Sequence, residues 1–297
     1  MKILFDNINF QSNSGPNSFG LKLALELEKS GNSINKNEIP DIQLSFIQAT
    51  RKVAPLIQRL AGIYFNSEQD WKSQNAPIQS TYDHADGVIF QSRFNKALTE
   101  KYFGKKDKNT VIHNGTDLEK IKLIPAISNP LLDDFENVWT CASSWRPHKR
   151  LSENVRYFLE NAGEKDCLVI AGNNPDFELK HDRVFYAGNL DWPQLISLYK
   201  RSKYFLHLAL LDHCPNVVVD ARAAGCKIIC SSSGGTKEIA GENSVIIEDM
   251  EWDYLPFKLY NPPKLDFSKK IKYETSCSID IKDVSSMYLS FFNEVLK

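Results

Sequence analysis

The chain has 297 residues, 42% of them hydrophobic, enough for two compact domains of about 150 residues each. Charged residues make up 25% and the formal net charge is -1, a solvated globular surface with no polyanion-binding signature, which argues against nucleic acid as a partner. Residues 1–125 hold sixteen Lys/Arg against thirteen Asp/Glu and the remainder twenty against twenty-four; scattered surface charge accounts for this, though it leaves room for an anionic ligand or peripheral membrane contact on the first half.

Short apolar runs alternate with helical patterns, the signature of an α/β protein with parallel sheets. A strand is expected over 2–9, followed by a turn from Gly15 to Gly20 and a helix over 21–29 with Leu23, Ala24 and Leu27 on one face. Strands follow over 42–47 and 56–65, a helix over 76–84, a strand over 87–90, a helix over 94–103 and a strand over 111–113 stopped by Asn114-Gly115. From Ile121 to Asn137 the pattern breaks at Pro125, Pro130 and an acidic stretch, which reads as a linker. A second series runs strand 138–142, helix 151–160, strands 167–171 and 184–186, helix 192–201, strand 204–208, helix 216–224 and strands 227–230 and 245–247. The final helix, 281–296, carries Val284, Tyr288, Phe291, Phe292 and Val295 at helical spacing, a stripe that must pack on something.

Six cysteines without a Cys-x-x-Cys pair read as small buried hydrophobes in a reducing compartment. The first residues start a strand directly and lack the long apolar stretch of a signal peptide, and no run approaches the roughly 18 apolar residues of a membrane span. The expected location is cytoplasmic.

Two stretches carry chemistry. Ser14-Gly15-Pro16-Asn17-Ser18-Phe19-Gly20 lies between the first strand and first helix, where a glycine lets the backbone approach a ligand and a helix N-terminus offers free N–H groups to an anion. It matches neither dinucleotide nor phosphate-loop patterns, and alone it is as well explained by a plain βα turn. The second stretch is Leu211-Asp212-His213-Cys214-Pro215-Asn216-Val217-Val218-Val219-Asp220-Ala221, followed by Gly234-Gly235-Thr236-Lys237-Glu238. Pro215 stands at a helix start whose first N–H groups, those of Asn216 to Val218, point outward, and Asp212 and Asp220 flank that terminus. A phosphate suits the N–H groups, and the carboxylates suit sugar hydroxyls. More plainly, Asp212 would be a helix cap and Asp220 an exposed helix residue.

The span from Asp212 to Asp220 resembles the acidic-x7-acidic motif of retaining glycosyltransferases of the glycosyltransferase family 4 type. Ala85–Ser92, Val111–Asp117 with its Asn-Gly-x-Asp turn, Leu168–Gly172, Val184–Gly188 and Gly234-Gly235-x-x-Glu238 resemble that family's segments in the same order. The resemblance implies a GT-B fold, an α/β architecture of two Rossmann-like domains with parallel sheets facing across a cleft. The division would be 1–125, acceptor-side, and 126–280, nucleotide-sugar-binding, with helix 281–296 packing back on the first. It implies transfer of a hexosyl group from a UDP- or GDP-sugar to a glycan or lipid-linked acceptor, with retention and without a metal or other cofactor.

Carried onto this sequence, the resemblance makes Asp220 the ribose ligand, facing the open cleft, and gives Asp212 and the amides near Asn216 the transferred sugar and diphosphate. Gly15 would approach the diphosphate from the other domain, and Pro215, Val217 and Gly188 would complete the donor site. Arg146 and Lys149 would neutralise the leaving group, on whose oxygens charge builds as the bond breaks. This chain has Asp212 and Asp220 where the family has glutamates, Ser144 where it has an arginine, and no histidine in Arg59-Leu60-Ala61-Gly62, where many members carry one. A non-catalytic relative that binds nucleotide sugars or glycans and a GT-B nucleotide-sugar epimerase remain as alternatives.

Overall fold

The structure, a computed structural model, describes residues 1–12, 14–35, 39–275 and 277–297. Its first half runs β1 (Lys2–Asp6), α1 (Gly15–Lys29), β2 (Ser33–Ile34), β3 (Ile42–Phe46), β4 (Leu56–Leu60), α2 (Trp71–His84), β5 (Gly87–Phe90), α3 (Arg93–Phe103) and β6 (Asn109–Val111). The strands form one sheet in the order β2-β1-β3-β4-β5-β6, every pair parallel. β3, β4 and β5 are buried along their whole length, as befits a parallel sheet covered on both faces.

After α4 (Leu118–Leu123) and α5 (Pro130–Asp133) come β7 (Asn137–Ala142), α6 (Leu151–Asn161), β8 (Asp166–Ala171), β9 (Val184–Gly188), α7 (Trp192–Arg201), β10 (Ser202–His207), α8 (Asn216–Ala223), β11 (Lys227–Ser231), α9 (Thr236–Ile239), β12 (Val245–Ile247) and β13 (Lys270–Ile271). The second sheet has the order β13-β12-β11-β10-β7-β8-β9, parallel except for β13. Strand order reverses between β1 and β3 in the first sheet and between β7 and β10 in the second. In open α/β sheets the crevice beyond the carboxyl ends at such points is where ligands bind.

The chain crosses between the halves more than once. On α10 (Ile281–Val295), Ile281, Val284, Tyr288, Phe291, Phe292 and Val295 share a core with Phe19, Leu23 and Leu27 of α1. Trp252, Tyr254 and Phe257 pack with Phe65 and Phe94 of the first half; the Ser67 amide donates to the Phe257 carbonyl at 3.0 Å and the Tyr102 hydroxyl to the Tyr254 carbonyl at 2.8 Å.

Several expected boundaries move. Gly15–Gly20 is not a turn but the start of α1, because Pro16 sits in the first helical turn, where its missing N–H leaves no bond unmade. α2 begins at Trp71, capped by the Asp70 carboxylate accepting from the Ser73 amide at 3.2 Å, so Pro77 lies inside the helix. The strand expected over 56–65 ends at Leu60 as the chain turns at Gly62, φ +136°. The expected linker carries α4 and α5. All six cysteines are free thiols. Among the described residues no helix is long and apolar enough to cross a membrane.

Candidate functional site

The termini of two helices meet where the halves face each other. Asn216, first residue of α8, donates from Nδ2 to the carbonyl of Gly15, first residue of α1, at 2.8 Å. α2, α3, α4, α5, α7 and α10 each have a side-chain N-cap, whereas α1 and α8, like α6 and the short α9, have none. Pro215 precedes α8 in extended conformation and accepts from the amides of Val218 and Val219, so the Val218 amide, expected to point outward, is already engaged in the first helical turn, and those of Asn216 and Val217 are left without a partner among the described residues. Free N–H groups at facing helix ends make a region of positive potential suited to an anion.

Asp212 lies on the loop between β10 and α8. Its Oδ2 accepts from Lys149 Nζ and from His207 Nε2, the latter at 2.9 Å, and its Oδ1 from the His213 amide at 2.9 Å. Burial opposes ionisation here, yet Lys149 and His207 hold the carboxyl well below the usual carboxylate range. The structure thus joins Asp212 and Lys149, which arrive from the carboxyl ends of β10 and β7, the two strands at the switch point. Gly234 and Gly235 make that loop possible. A Cβ on Gly234 would sit 2.4 Å from the Asp212 carbonyl, and one on Gly235 would sit 2.0 Å from the His213 carbonyl.

Arg146 is exposed, and among the described residues its side chain makes no hydrogen bond or ion pair. Its neighbour Arg150 acts differently. Fully buried against Asp249, with bonds of 2.7 and 3.2 Å, it holds the loop rather than a ligand. Gly188 ends β9, two strands from β7 and so about 10 Å across the sheet from it.

Asp220 departs from expectation. The sequence suggests a carboxylate facing an open cleft; in the structure it is 5% exposed and both oxygens are engaged. Oδ1 accepts from Lys22 Nζ of α1 at 2.8 Å and Oδ2 from Trp192 Nε1 of α7 at 3.0 Å, with the Lys22 ammonium 5.1 Å from the centre of the Trp192 ring. Lys22 also donates to Thr116 Oγ1 at 3.0 Å. The cause is packing: one turn into α8, a side chain facing the other half meets α1 as the halves close.

Other residues of the quoted stretches, given no role by the sequence, also meet at the seam. His213 packs on Phe94 with ring centroids 5.2 Å apart, and a Cβ on Gly62 would lie 2.5 Å from its Nε2, so the end of β4 approaches it closely. Burial, offset in part by Asp212, lowers its pKa to about 4, leaving a neutral imidazole whose Nδ1 has no hydrogen-bond partner among the described residues. Glu238 accepts from the amides of Arg93 at 2.8 Å and Phe94 at 2.9 Å, capping α3 from across the seam, and from His113 Nε2 at 2.9 Å.

Residues 141–255 match the family described as Glycosyl transferases group 1, a span that holds Lys149, the 212–220 stretch and the Gly234–Glu238 turn. No curated protein sequence matches the chain. Among solved structures, the Anabaena HepE protein in complex with UDP-glucose aligns with a TM-score of 0.61 at 13% identity, over 100% of this chain and 92% of its own. AviGT4, a glycosyltransferase involved in avilamycin A biosynthesis, gives 0.65 at 12% identity over 100% and 98%, and sucrose-phosphate synthase from Thermosynechococcus elongatus 0.63 at 13% over 84% and 86%. At these identities the likeness shows the fold, which is GT-B: two parallel-sheet α/β units face to face. The chain thus has a GT-B architecture whose second half, over residues 141–255, is similar to the group 1 glycosyl transferases.

Proposed function

We propose that the chain is a retaining, metal-independent glycosyltransferase of the family 4 type. It takes a hexosyl group from a UDP- or GDP-sugar and gives it to a glycan or lipid-linked acceptor at the cytoplasmic side of the cell. The observation that carries this reading is the meeting of two uncapped helix N-termini, α1 at Gly15 and α8 at Asn216, beside the Lys149–Asp212 pair. In this reading the diphosphate lies on the amides of Asn216 and Val217, against Gly15. Lys149 passes from Asp212 to the phosphate oxygens, joined by Arg146, and stabilises the charge that grows on the leaving group. That exchange frees Asp212 for hydroxyls of the transferred sugar. Asp220 takes the ribose hydroxyls once Lys22 yields, and Gly188 lies on the donor side.

The test is product analysis with UDP- and GDP-hexoses and a glycan acceptor, reading the anomeric configuration by NMR with and without EDTA. A product of inverted configuration overturns retention, and activity lost to EDTA and restored by manganese or magnesium overturns the metal-free mechanism. A second reading, a donor-binding relative without turnover, is favoured by one observation: lysines already engage both carboxylates of the motif. Donor hydrolysis at a rate above the uncatalysed one eliminates it.

A further inference from the structure

Arg59 leaves β4 into the interior at 0% exposure, and among the described residues it has no carboxylate partner. Its guanidinium lies 4.4 Å from the centre of the Phe19 ring on α1 and 5.4 Å from that of Phe46. Nη2 donates to Gln91 Oε1 at 3.2 Å and to Asn114 Oδ1, while among the described residues Nε and Nη1 have no hydrogen-bond partner. A guanidinium has five donors and no acceptor, so the group that meets it must accept. Asn114 therefore turns its oxygen to Arg59 and its Nδ2 outward, donating to the Cys214 carbonyl at 2.9 Å and to Asn216 Oδ1 at 2.8 Å. Asn216 in turn has its own Nδ2 left for the Gly15 carbonyl at 2.8 Å.

Either amide reversed would set like against like. A flipped Asn114 puts N–H₂ against the guanidinium and oxygen against the Cys214 carbonyl; a flipped Asn216 puts oxygen against the Gly15 carbonyl. One buried donor-only group thus fixes the direction of a chain of bonds that begins in the core of the first half, enters the second and returns to the tip of α1. The chain is buried at its head and exposed only at its last link.

We propose that Arg59 is a positioning residue: through Asn114 it orients Asn216 so that the second half latches onto Gly15, setting the closed spacing of the two helix ends. The effect on turnover rests on the reading of that spacing as the donor site; the effect on closure does not. Arg59→Met removes every donor from the head, and Arg59→Lys restores a donor-only group there. Asn216→Asp acts at the exposed tail: its carboxylate still accepts from Asn114 but faces the Gly15 carbonyl without a proton to give.

Two measurements decide the matter. The first is the distance distribution between spin labels at exposed sites on the two halves of the ligand-free protein. The second is donor Kd and kcat with UDP- and GDP-hexoses. Arg59→Met and Asn216→Asp should broaden and lengthen the distribution, and Arg59→Lys should bring it back. Loss of one such bond corresponds to about three- to tenfold in the closure equilibrium, so kcat should fall by that factor. In the Arg59 variants donor Kd should stay within about threefold, because the amides of Asn216 and Val217 remain; Asn216→Asp adds a negative charge beside the diphosphate, so that variant is read on the label distances alone. Should Arg59→Met fail to fold, Asn216→Asp carries the test alone. A distribution unchanged in Asn216→Asp overturns the proposal, as does an Arg59→Lys protein as open as a folded Arg59→Met. If no donor binds the wild type, the glycosyl-transfer reading fails while the label distances still decide the latch.

Discussion

Asp220→Asn tests the ribose site and the contact that occupies it. The carboxylate accepts from Lys22 and Trp192, and side-chain exposure of the ion pair is only 14% and 8%. An asparagine has one oxygen for two donors, so its N–H₂ must face either the Lys22 ammonium or the Trp192 N–H. Hydrogen bonds to charged groups contribute about 1.5–3 kcal/mol, and breaking a buried pair costs about 3–5 kcal/mol. Lys22 keeps Thr116 as a partner, so the cost falls between those two figures' lower ends, about 2–3 kcal/mol, or about 3–5 °C in Tm. For donor binding, the wild type must first release Lys22 from Asp220. Asp220→Asn, which loses the charge-assisted bonds to the ribose hydroxyls, should weaken binding by about tenfold, while Lys22→Met, which removes the competitor and keeps the carboxylate, should tighten it. Calorimetry with ribose and 2′-deoxyribose donors on the wild type and both variants reads this directly: only proteins that keep Asp220 should prefer the ribose donor. Equal affinities for the two donors throughout, or both variants shifting affinity in the same direction, would remove Asp220 from the ribose site.

Arg146→Ala and Lys149→Ala should each lower kcat more than they weaken donor binding, since charge grows on the diphosphate only as the bond breaks. Only Lys149→Ala should also lower Tm, because it leaves the Asp212 carboxylate without its cationic partner, with only His207 and the His213 amide donating to it; a rise in KM with kcat untouched makes either residue a ground-state binder. Burial holds His213 at about 4 and His148 at about 3, below an unfolded value of about 6.5. As pH falls the unfolded chain therefore takes up protons first. This contribution is fully favourable above pH about 6.5 and declines towards those folded values, by about 2 kcal/mol per residue at pH 5. Tm should drop between pH 7 and 5, and a flat profile contradicts it. Truncation before Asp280 exposes the α1 face that the Phe291 and Phe292 stripe covers; aggregation or a large loss of Tm is expected, and an unchanged melt rules out a structural role for α10.

The order of strands and helices was legible because each element carries its own period, and α7 falls on the predicted residues from Trp192 to Arg201. β2, two residues long, has no period to read, and the crossing by Trp252, Tyr254 and Phe257 shows no regular pattern at all. At the site, the uncapped start of α8 follows from Pro215 and the apolar residues behind it. The engagement of Asp220 does not, because its partner Lys22 lies 198 residues away and looks like an ordinary polar residue on α1. Arg59 was equally silent: only the folded chain shows that its neighbours are amides and aromatic rings instead of carboxylates.

Everything proposed for the site depends on the facing ends of α1 and α8 holding a nucleoside diphosphate sugar. Thermal denaturation of the intact chain with UDP, GDP, ADP and their sugars, each in EDTA, puts that binding to the test. One nucleoside series should stabilise the protein, by about 2.7 kcal/mol at a hundredfold excess over Kd, with the effect much reduced in Asp220→Asn. An unshifted melt with every nucleotide and sugar at millimolar concentration would contradict a donor site between these helix ends.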